Sequence, residues 1–411
     1  MIADFAPSIN GFEQTFQPYL FDKQPPSPAL QVSVIVPVRN EAHHLARTLE
    51  ALRLQQDPTG KPLHPSTYEV LVLVNNCTDA SLAIAQSYQK RNPGFSLHIA
   101  HIKLPRPKAN IGTVRRLLMD EAHRRLLSVG NLTGIIASTD GDTVVDPQWI
   151  HHIQNEIALG ADAVGGRILT HPDRNPVRRF HLCDVTYRTL VARLESQLDP
   201  CAHDPWPRHF QHFGANMAVT CSAYERAGRL PEVPYLEDDA FFKALARVDA
   251  RVRKSPLVKV TTSARMQGRV AIGFSEQLRC WATMQKNGDC QLAEPAGAWA
   301  TKFKARSLLR SLWTNRLTNL PLSVLVDVAT QLSVSAEWLR RALLQCRYFG
   351  EFWQLVEHRM VKEHYWTTRW PLVPIDRAIA ELRGLTSSQT NRPGTFLCDA
   401  HARDAGVAHR L

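Results

Sequence analysis

The sequence QVSVIVPV at residues 31–38 decides the fold of this chain. It is a short, β-branched and almost uninterrupted apolar run, which is typical of a strand that is buried on both faces. A segment with leucines at helical spacing follows over residues 40–54, and YEVLVLV at residues 68–74 repeats the strand pattern. Strands that alternate with helices indicate βαβ units and a largely parallel sheet.

The alternation continues to residue 168. We expect strands over residues 31–38, 68–74, 97–101, 134–137 and 161–168. We expect helices over residues 40–54, 79–90, 112–127 and 147–159. The predicted fold class is therefore α/β, with a mostly parallel central sheet and flanking helices.

The composition narrows the class of protein. The chain has 411 residues, 44% of them hydrophobic, and a net charge of +11, so it is neither fibrous nor wholly disordered. The eight cysteines are scattered without a CxxC pair, and no secretory signal pattern begins the sequence, so we expect free thiols and a cytoplasmic location. The basic residues are spread along the chain without a nucleic-acid-binding motif. We expect no nucleic acid partner, and instead a phosphate-bearing ligand or an anionic membrane surface.

Composition shifts divide the chain into three parts. Residues 1–30 are rich in proline and polar residues and form a predicted N-terminal arm. Residues 31–285 contain the alternating pattern and form the predicted catalytic domain. Residues 286–411 form a predicted helical region rich in tryptophan, with a poorly ordered tail from residue 386.

Polar residues follow three of the predicted strands. These loops contain Arg39-Asn40-Glu41, the stretch from Asn75 to Asp79, and Asp140-Gly141-Asp142. Ligands of parallel sheets bind beyond the carboxyl ends of the strands, so we expect the three loops to converge.

Two acidic clusters are candidates for chemistry. Asp140 and Asp142 can present oxygens to one hard cation, Mg²⁺ or Mn²⁺, although a plain acidic turn would have the same sequence. Glu237-Asp238-Asp239 precedes a predicted helix over residues 240–246. Three acids suit the positive end of a helix dipole, and a carboxylate there can equally act as a general base.

Several enzyme classes are excluded by missing motifs. The sequence contains no GxGxxG, no GxxxxGK[ST] and no GxSxG. Dinucleotide dehydrogenases, P-loop enzymes and α/β-hydrolases depend on those loops, so none of them fits.

Taken in order, the motifs resemble those of the family 2 glycosyltransferases, which have the A-type (GT-A) nucleotide-sugar fold. The matching stretches are PVRNE at residues 37–41, VLVNNCTDAS at 72–81, STDGDT at 138–143, HFGANMAVT at 212–220 and LEDDAFF at 236–242. The resemblance covers residues 31–285 and implies a GT-A fold for them.

The resemblance implies a site for a nucleotide-diphosphate sugar donor and a divalent metal. Its donor-binding residues would be Pro37, Arg39, Glu41, Asn75, Lys108, Arg115 and Asp140. Asp142 would be the metal ligand that bridges to the diphosphate. The residue near Asn75 is usually an acid in the family, which leaves the nucleotide base open.

The resemblance also implies an acceptor side. Asp238 would be the catalytic base, and Glu237 would orient the acceptor or its loop. The residues on the acceptor or phosphate side would be Gly214, Asn216, Arg265 and Arg269. The predicted function is a metal-dependent, inverting glycosyl transfer to a hydroxyl of an acceptor, either a small molecule or a lipid-linked one.

Two other functions stay open on the sequence. A nucleotidyltransferase can use a related sheet and paired acids, but needs a glycine-rich basic loop after the first strand. A non-catalytic nucleotide-sugar-binding protein would not need Asp142 and Asp238. The QxxRW motif of processive polysaccharide synthases is absent, which favours transfer of a single sugar.

A basic and apolar segment of the C-terminal region allows two placements. Its cations are Lys302, Lys304, Arg306, Arg310 and Arg316. They flank Leu309, Leu312, Trp313 and Leu317 at helical spacing. Such a helix either lies on an anionic membrane, which would put the protein at its inner face, or packs on the catalytic domain.

Overall fold

The computed structural model describes residues 20–22, 24–170, 177–263, 273–317, 320–362 and 365–388. Arg265 and Arg269 lie outside these ranges, as do most of the predicted arm and the tail after residue 388.

The centre of the molecule is a sheet of eight strands. They are β1 (Val32–Val38), β2 (Tyr68–Asn75), β3 (Leu97–Ile102), β4 (Ile135–Thr139), β5 (Thr143–Val145), β6 (Ala163–Thr170), β7 (Asn216–Thr220) and β8 (Val252–Thr262). Their order is β3-β2-β1-β4-β7-β6-β8-β5. The pairs β1–β2, β1–β4, β2–β3 and β6–β8 are parallel, while β7 is antiparallel to β4 and β6, and β5 to β8. The prediction of a mostly parallel sheet is confirmed.

Eight helices accompany this sheet. They are α1 (Leu45–Arg53), α2 (Ser81–Arg91), α3 (Ile111–Ser128), α4 (Trp149–Ala158), α5 (Arg178–Leu198), α6 (Cys221–Arg226), α7 (Glu237–Arg247) and α8 (Phe274–Asn287). A short 3-10 helix at Arg106–Lys108 precedes α3. The long helix α5 is not among the predicted elements, because its apolar residues are too sparse to show a clear helical period.

The sheet is covered on both faces. Along β1, Val32, Val34, Val36 and Val38 face a cluster built with α1, α2 and α4, while Ile35 faces a cluster built with α3, α6 and α7. All seven residues of β1 are buried, as the apolar run predicts. Each fully buried valine or isoleucine stabilises the fold by roughly 1.5–3 kcal/mol.

The start of α1 differs from its prediction. The helix begins at Leu45 rather than at residue 40. Asn40 has φ of 55°, in the left-handed region, so the chain cannot continue helically through it. Residues 40–44 instead form a loop at the carboxyl end of β1.

The C-terminal region is helical, as predicted. It contains α9 (Ala296–Thr314), α10 (Leu322–Leu332), α11 (Ala336–Gln345), α12 (Phe349–Lys362), α13 (Tyr365–Arg369) and α14 (Ile375–Ser388). A two-stranded sheet joins β9 (Leu292–Ala293) to β10 (Val373–Pro374). The helices share a core that includes Trp353 and Trp366, so these tryptophans are core anchors, as expected.

The basic segment of α9 packs on the catalytic domain. Leu309 is fully buried, and Arg306 pairs with Glu195 at 2.6 Å and with Asp199 on α5 and just after it. Arg310 pairs with Asp199 as well, at 3.2 Å. Packing, rather than a membrane, therefore occupies this face. None of the helices in the described ranges combines the length and apolar character that a bilayer crossing demands.

The described end of the N-terminal arm also joins the core. Phe21 and Leu30 are buried against α3 and the sheet. Arg125 of α3 donates to the Gln24 carbonyl at 2.7 Å and to the buried Glu69 carboxylate at 2.6 Å. This buried, hydrogen-bonded pair fastens residues 20–30 to the domain.

Candidate active site

The loops after β1 and β2 are joined by hydrogen bonds. Asn40 Oδ1 accepts from the Thr78 amide at 2.8 Å, and Asp79 Oδ2 accepts from the Ala42 amide at 3.0 Å. The Glu41 amide donates to Ser81 Oγ at 2.8 Å. Asp79 thus acts on a backbone donor of the neighbouring loop, and the predicted convergence of these two loops is confirmed.

The acidic turn after β4 rests on the same corner. Thr48 of α1 donates to the Gly141 carbonyl at 3.1 Å. A β-carbon at Gly141 would lie 3.1 Å from Glu41 Cγ and 3.4 Å from the Pro37 carbonyl oxygen. Glycine therefore allows the turn to approach the β1 loop closely, with one carboxylate on each side of it.

Asp140 points toward α3. Its Oδ1 accepts from Arg115 Nη2 at 2.6 Å. Burial raises the pKa of Asp140 to about 6, and the neighbouring acids Asp142, Glu237 and Asp238 act in the same direction, while Arg115 opposes them. Asp140 is thus a carboxylate that becomes protonated in mildly acidic solution.

Asp142 points away from Arg115, toward the end of β8. Ser263 Oγ donates to its Oδ2 at 2.6 Å, and the Thr143 and Thr262 hydroxyls lie 3.4 and 3.5 Å from Oδ1. This donor set consists of oxygens only, which suits Mg²⁺ or Mn²⁺. In the described ranges no group of three or more histidines, cysteines or acids could hold a metal by itself. A cation at Asp142 would therefore need further oxygens from a substrate, as the phosphates of a nucleotide provide.

Arg115 joins the donor-side acid to the acid cluster of α7. Its guanidinium is 3% exposed and pairs with Asp140 through Nη2 and with Glu237 through Nη1. A β-carbon at Gly214 would overlap this guanidinium, so Gly214 is needed for its position. Breaking a buried pair on one side leaves the other charges uncompensated, so Arg115 holds two distant segments in register.

Asp238 differs from its two acidic neighbours. Its Oδ2 accepts from the Gly214 amide at 2.8 Å, and its Oδ1 accepts from the Asp239 amide at 2.8 Å. The side chain is held by backbone donors only, and it is partly exposed. Glu237, in contrast, is buried in the ion pair with Arg115. Asp238 is consequently the oriented carboxylate with access to a substrate and no cationic side chain bound to it.

Asp239 is held in its charged form. His212 Nε2 lies 3.5 Å from its Oδ1, and Lys243 Nζ lies 2.7 Å from its Oδ2. The hydrogen bond with His212 is the main cause of a pKa lowered to about 2, and Lys243 adds to it. His212 in turn stacks on Phe242, with ring centroids 4.1 Å apart. A carboxylate with so low a pKa is a poor proton acceptor.

The other predicted donor residues surround the β1 loop. Arg39 Nη1 donates to the Ala109 carbonyl at 3.1 Å, which brings the segment of Lys108 to the first loop. Lys108 itself is exposed, in the short 3-10 helix before α3. Glu41 and Asn75 are 6% and 4% exposed, at the carboxyl ends of β1 and β2. Their contacts with a nucleotide remain predictions.

Asn216 lies inside the sheet rather than at its edge. It is fully buried, its Oδ1 accepts from Trp149 Nε1 at 2.8 Å, and its Nδ2 donates to the carbonyls of Arg167 and Val258 at 3.1 Å. All of its amide groups bind protein, so Asn216 ties β6, β7, β8 and α4 together. The structure gives it this structural role in place of the predicted one on the acceptor side.

Three polar residues of this corner were not predicted as site residues. They are Ser138, which donates to the Gly214 carbonyl at 2.8 Å, His212 beside Asp239, and Ser263 beside Asp142. Each is far in sequence from the group that it orients. Single serines and histidines carry no spacing pattern, so the sequence offered no means of selecting them.

Comparison with known proteins agrees with this geometry. Residues 33–213 match the model of the family described as Glycosyl transferase family 2. A dolichyl-phosphate beta-glucosyltransferase of Drosophila melanogaster is 31% identical over 115 residues, which are 28% of this chain and 34% of that protein. The glycosyltransferase AglE of Haloferax volcanii is 29% identical over 149 residues, which are 34% of this chain and 41% of AglE. The chain thus spans less than half the length of these relatives.

Solved structures with a similar course of the chain include two glycosyl-transferring proteins. The mannosyltransferase PcManGT of Pyrobaculum calidifontis, solved with GDP-Man and Mn²⁺, is 16% identical, with 89% of each chain covered and a TM-score of 0.42. TarS of S. aureus, solved with UDP-GlcNAc, is 17% identical, with 81% of this chain and 92% of that chain covered and a TM-score of 0.42.

The sheet order, the acidic turn after β4 and the family match lead to one assignment. Residues 33–213 are a glycosyltransferase family 2 domain, and the chain that carries it resembles the family 2 glycosyltransferases of the GT-A type.

Proposed function

We propose that this chain transfers one sugar from a nucleotide-diphosphate sugar to a hydroxyl group of an acceptor, with inversion at the anomeric carbon and with the help of a divalent metal. The position of Asp238 supports this proposal most directly. Its two oxygens accept backbone hydrogen bonds from Gly214 and Asp239, and its environment leaves it free to receive a proton. An inverting transfer needs one such base on the acceptor side.

The three acids of α7 have separate tasks in this proposal. Glu237 is bound by Arg115 and holds the start of α7 against the donor side. Asp239 stays ionised beside His212 and Lys243 and keeps the helix start in place. Asp238 takes the proton of the acceptor hydroxyl as the oxygen attacks the sugar, and the bond between the sugar and the diphosphate breaks on the opposite face.

The donor side of the site has the charges that a leaving diphosphate requires. A divalent cation held by Asp142 would supply Lewis-acid stabilisation of that group. Ser263 orients Asp142 for this purpose, and Arg115 holds Asp140 near the donor. The base and ribose of the nucleotide lie against Pro37, Arg39, Glu41 and Asn75 in this proposal.

The acceptor is a small hydroxyl compound or a lipid-linked one. The name of the Drosophila relative, which includes dolichyl phosphate, supports the lipid-linked class. With such an acceptor the protein would work in the cytoplasm at the inner face of a membrane. The basic segment of α9 does not provide the membrane contact, because its side chains pair with α5.

One experiment tests the reaction class. The full chain is incubated with UDP- and GDP-linked sugars, with Mn²⁺ and with excess chelator, and release of UDP or GDP is measured. We expect slow metal-dependent hydrolysis of one donor even without an acceptor. Binding without any release in the presence of candidate acceptors would indicate a non-catalytic protein. Release of pyrophosphate from a nucleoside triphosphate and a sugar phosphate would indicate a nucleotidyltransferase.

A further inference from the structure

We propose that Arg47, in the first turn of α1, is a binding residue for the diphosphate of the donor. This inference rests on the proposed function and adds a wall to its donor site. Arg47 does not belong to any of the motifs that carry the family resemblance. Its place beside Asp142 follows from the tertiary structure alone.

A small cavity lies beside Asp142. Its volume is about 80 Å³, and its lining consists of His44, Arg47, Thr48, Asp142, Val144 and Ser263. A water molecule takes about 30 Å³ of the liquid, so the cavity has room for a group larger than one water. One wall comes from α1, and the other comes from the acidic turn and the end of β8. Asp142, the candidate metal ligand, is thus a wall residue of a cavity and not only an acid on a turn.

The two walls carry opposite charges that do not satisfy each other. Within the described residues, the Arg47 guanidinium makes no hydrogen bond and no ion pair with a side chain or a carbonyl group, although it lines the same cavity as Asp142. A bare anion would be attracted by Arg47 and repelled by Asp142. A bare cation would experience the reverse. A metal–diphosphate complex carries both signs of charge, so it complements both walls.

The position of Arg47 relative to the acidic turn is fixed. Its neighbour Thr48 is 1% exposed and donates to the Gly141 carbonyl at 3.1 Å. Leu45 and Leu49, on the buried face of α1, are fully buried in the core. The helix therefore cannot rotate or slide without breaking these contacts. Arg47, on the exposed face of the same turn, is presented to the cavity in a constant register.

Arginine suits this task for a chemical reason. Its planar guanidinium can donate two parallel hydrogen bonds to phosphate oxygens, and it stays charged at any pH at which the protein is folded. Lysine at the same place would keep the charge and lose the two-point geometry. This difference gives the experiment a conservative variant with a distinct expected result.

Calorimetric titration of the full chain tests the inference. The probes are UDP, GDP, UMP and GMP, each with Mg²⁺, and the variants are Arg47→Ala and Arg47→Lys. The matched control is Lys90→Ala, which removes an exposed cation in the last turn of α2. A charge-assisted hydrogen bond contributes about 1.5–3 kcal/mol, which is a change in affinity of tenfold or more. We expect Arg47→Ala to weaken the nucleoside diphosphate by about tenfold, Arg47→Lys to weaken it less, and the control to have no effect.

The monophosphates separate this inference from a general effect of charge. If Arg47 binds the diphosphate, Arg47→Ala weakens UDP or GDP more than UMP or GMP. Equal weakening of both classes would overturn the assignment to the diphosphate. Unchanged binding of a diphosphate that the native chain does bind would overturn the role of Arg47 and leave the proposed function intact. If the native chain binds neither diphosphate, both the proposed function and this inference are wrong.

Discussion

The donor side and the acceptor side of the candidate site are built in different ways. The donor side consists of residues that directly follow β1, β2 and β4, so each side chain is placed by the strand just before it in sequence. The acceptor side consists of α7 and the segment around Gly214, which are brought to the acidic turn by Arg115 and Ser138. The first half therefore depends on sheet topology, and the second depends on tertiary contacts over long sequence separations.

The C-terminal region reinforces that difference because it braces α7. Gly350, in α12, lies so close to Ala246 that a β-carbon there would overlap the Ala246 carbonyl. The carboxylate of Asp249 accepts from the amides of Phe349 and Gly350 at 2.8 and 2.7 Å, and so caps α12. Gln354 donates to the Lys243 carbonyl at 2.6 Å. The helix that begins with the candidate base thus ends against the C-terminal helices.

Removal of the base should have the largest effect. Asp238→Asn keeps the size of the side chain and removes its basicity, so we expect a loss in turnover of about 10²–10⁴-fold with donor affinity little changed. Asp239→Asn should be milder, because Asp239 is already bound by His212 and Lys243. Measurement of kcat and of donor Kd for both variants checks this expectation.

Two outcomes would contradict that assignment. If Asp238→Asn turns over normally while Asp239→Asn or Glu237→Gln is inactive, the base is a neighbouring acid. If the product retains the anomeric configuration of the donor, determined by NMR, the inverting mechanism is wrong.

Removal of the metal ligand should affect the donor side next. We expect Asp142→Ala to abolish most of the activity and to weaken Mn²⁺-dependent binding of UDP or GDP by tenfold or more, because the cation loses its carboxylate. The fold should survive, since the residue lies on a partly exposed turn. Asp289→Ala, at an exposed acid after α8, is the control. Full activity in excess chelator would rule out the metal role.

The pH dependence of donor binding should report Asp140. Its pKa of about 6 lies above the usual range, so the carboxylate is ionised above pH 6 and gains a proton as the pH falls through 6. If the ionised form is needed for the donor, affinity should fall by about tenfold at one unit below that pKa. Titration of UDP or GDP between pH 7.5 and 5 measures this effect, and Asp140→Asn should remove it. A flat profile for the native chain would show that Asp140 does not act on the donor in its charged form.

The brace between α7 and α12 should give the smallest effect. Gly350→Ala introduces a methyl group against the Ala246 carbonyl, so we expect a loss of about 1–3 kcal/mol in the free energy of unfolding. We also expect a severalfold fall in kcat with donor Kd unchanged, because the strain reaches the acceptor side only. Thermal denaturation and steady-state kinetics measure the two quantities.

Gly384→Ala is the matched control for that prediction. Gly384 is exposed in α14, and a β-carbon there meets no atom within 4 Å. Alanine should stabilise a helix at such a position by up to about 1 kcal/mol. If Gly350→Ala lowers kcat and donor affinity equally, the C-terminal region does not act through α7 alone.

The sequence by itself determined the α/β class, the parallel strands up to β4 and the convergence of the first three loops. The physical reason is local: a buried parallel strand is a continuous apolar run, and the polar residues after it must lie at one edge of the sheet. Asp140, Asp142 and the acids of α7 were found in this way, with the resemblance supplying their order.

Only the tertiary structure decided how these groups are oriented. It placed Asn216 inside the sheet, assigned Arg115 to both Asp140 and Glu237, and packed the basic face of α9 on α5. Hydrogen bonds and ion pairs between residues more than a hundred positions apart leave no periodic pattern in the sequence. The two sides of a turn that carries two acids likewise become distinct only when α1 and α3 have packed on opposite faces of the sheet.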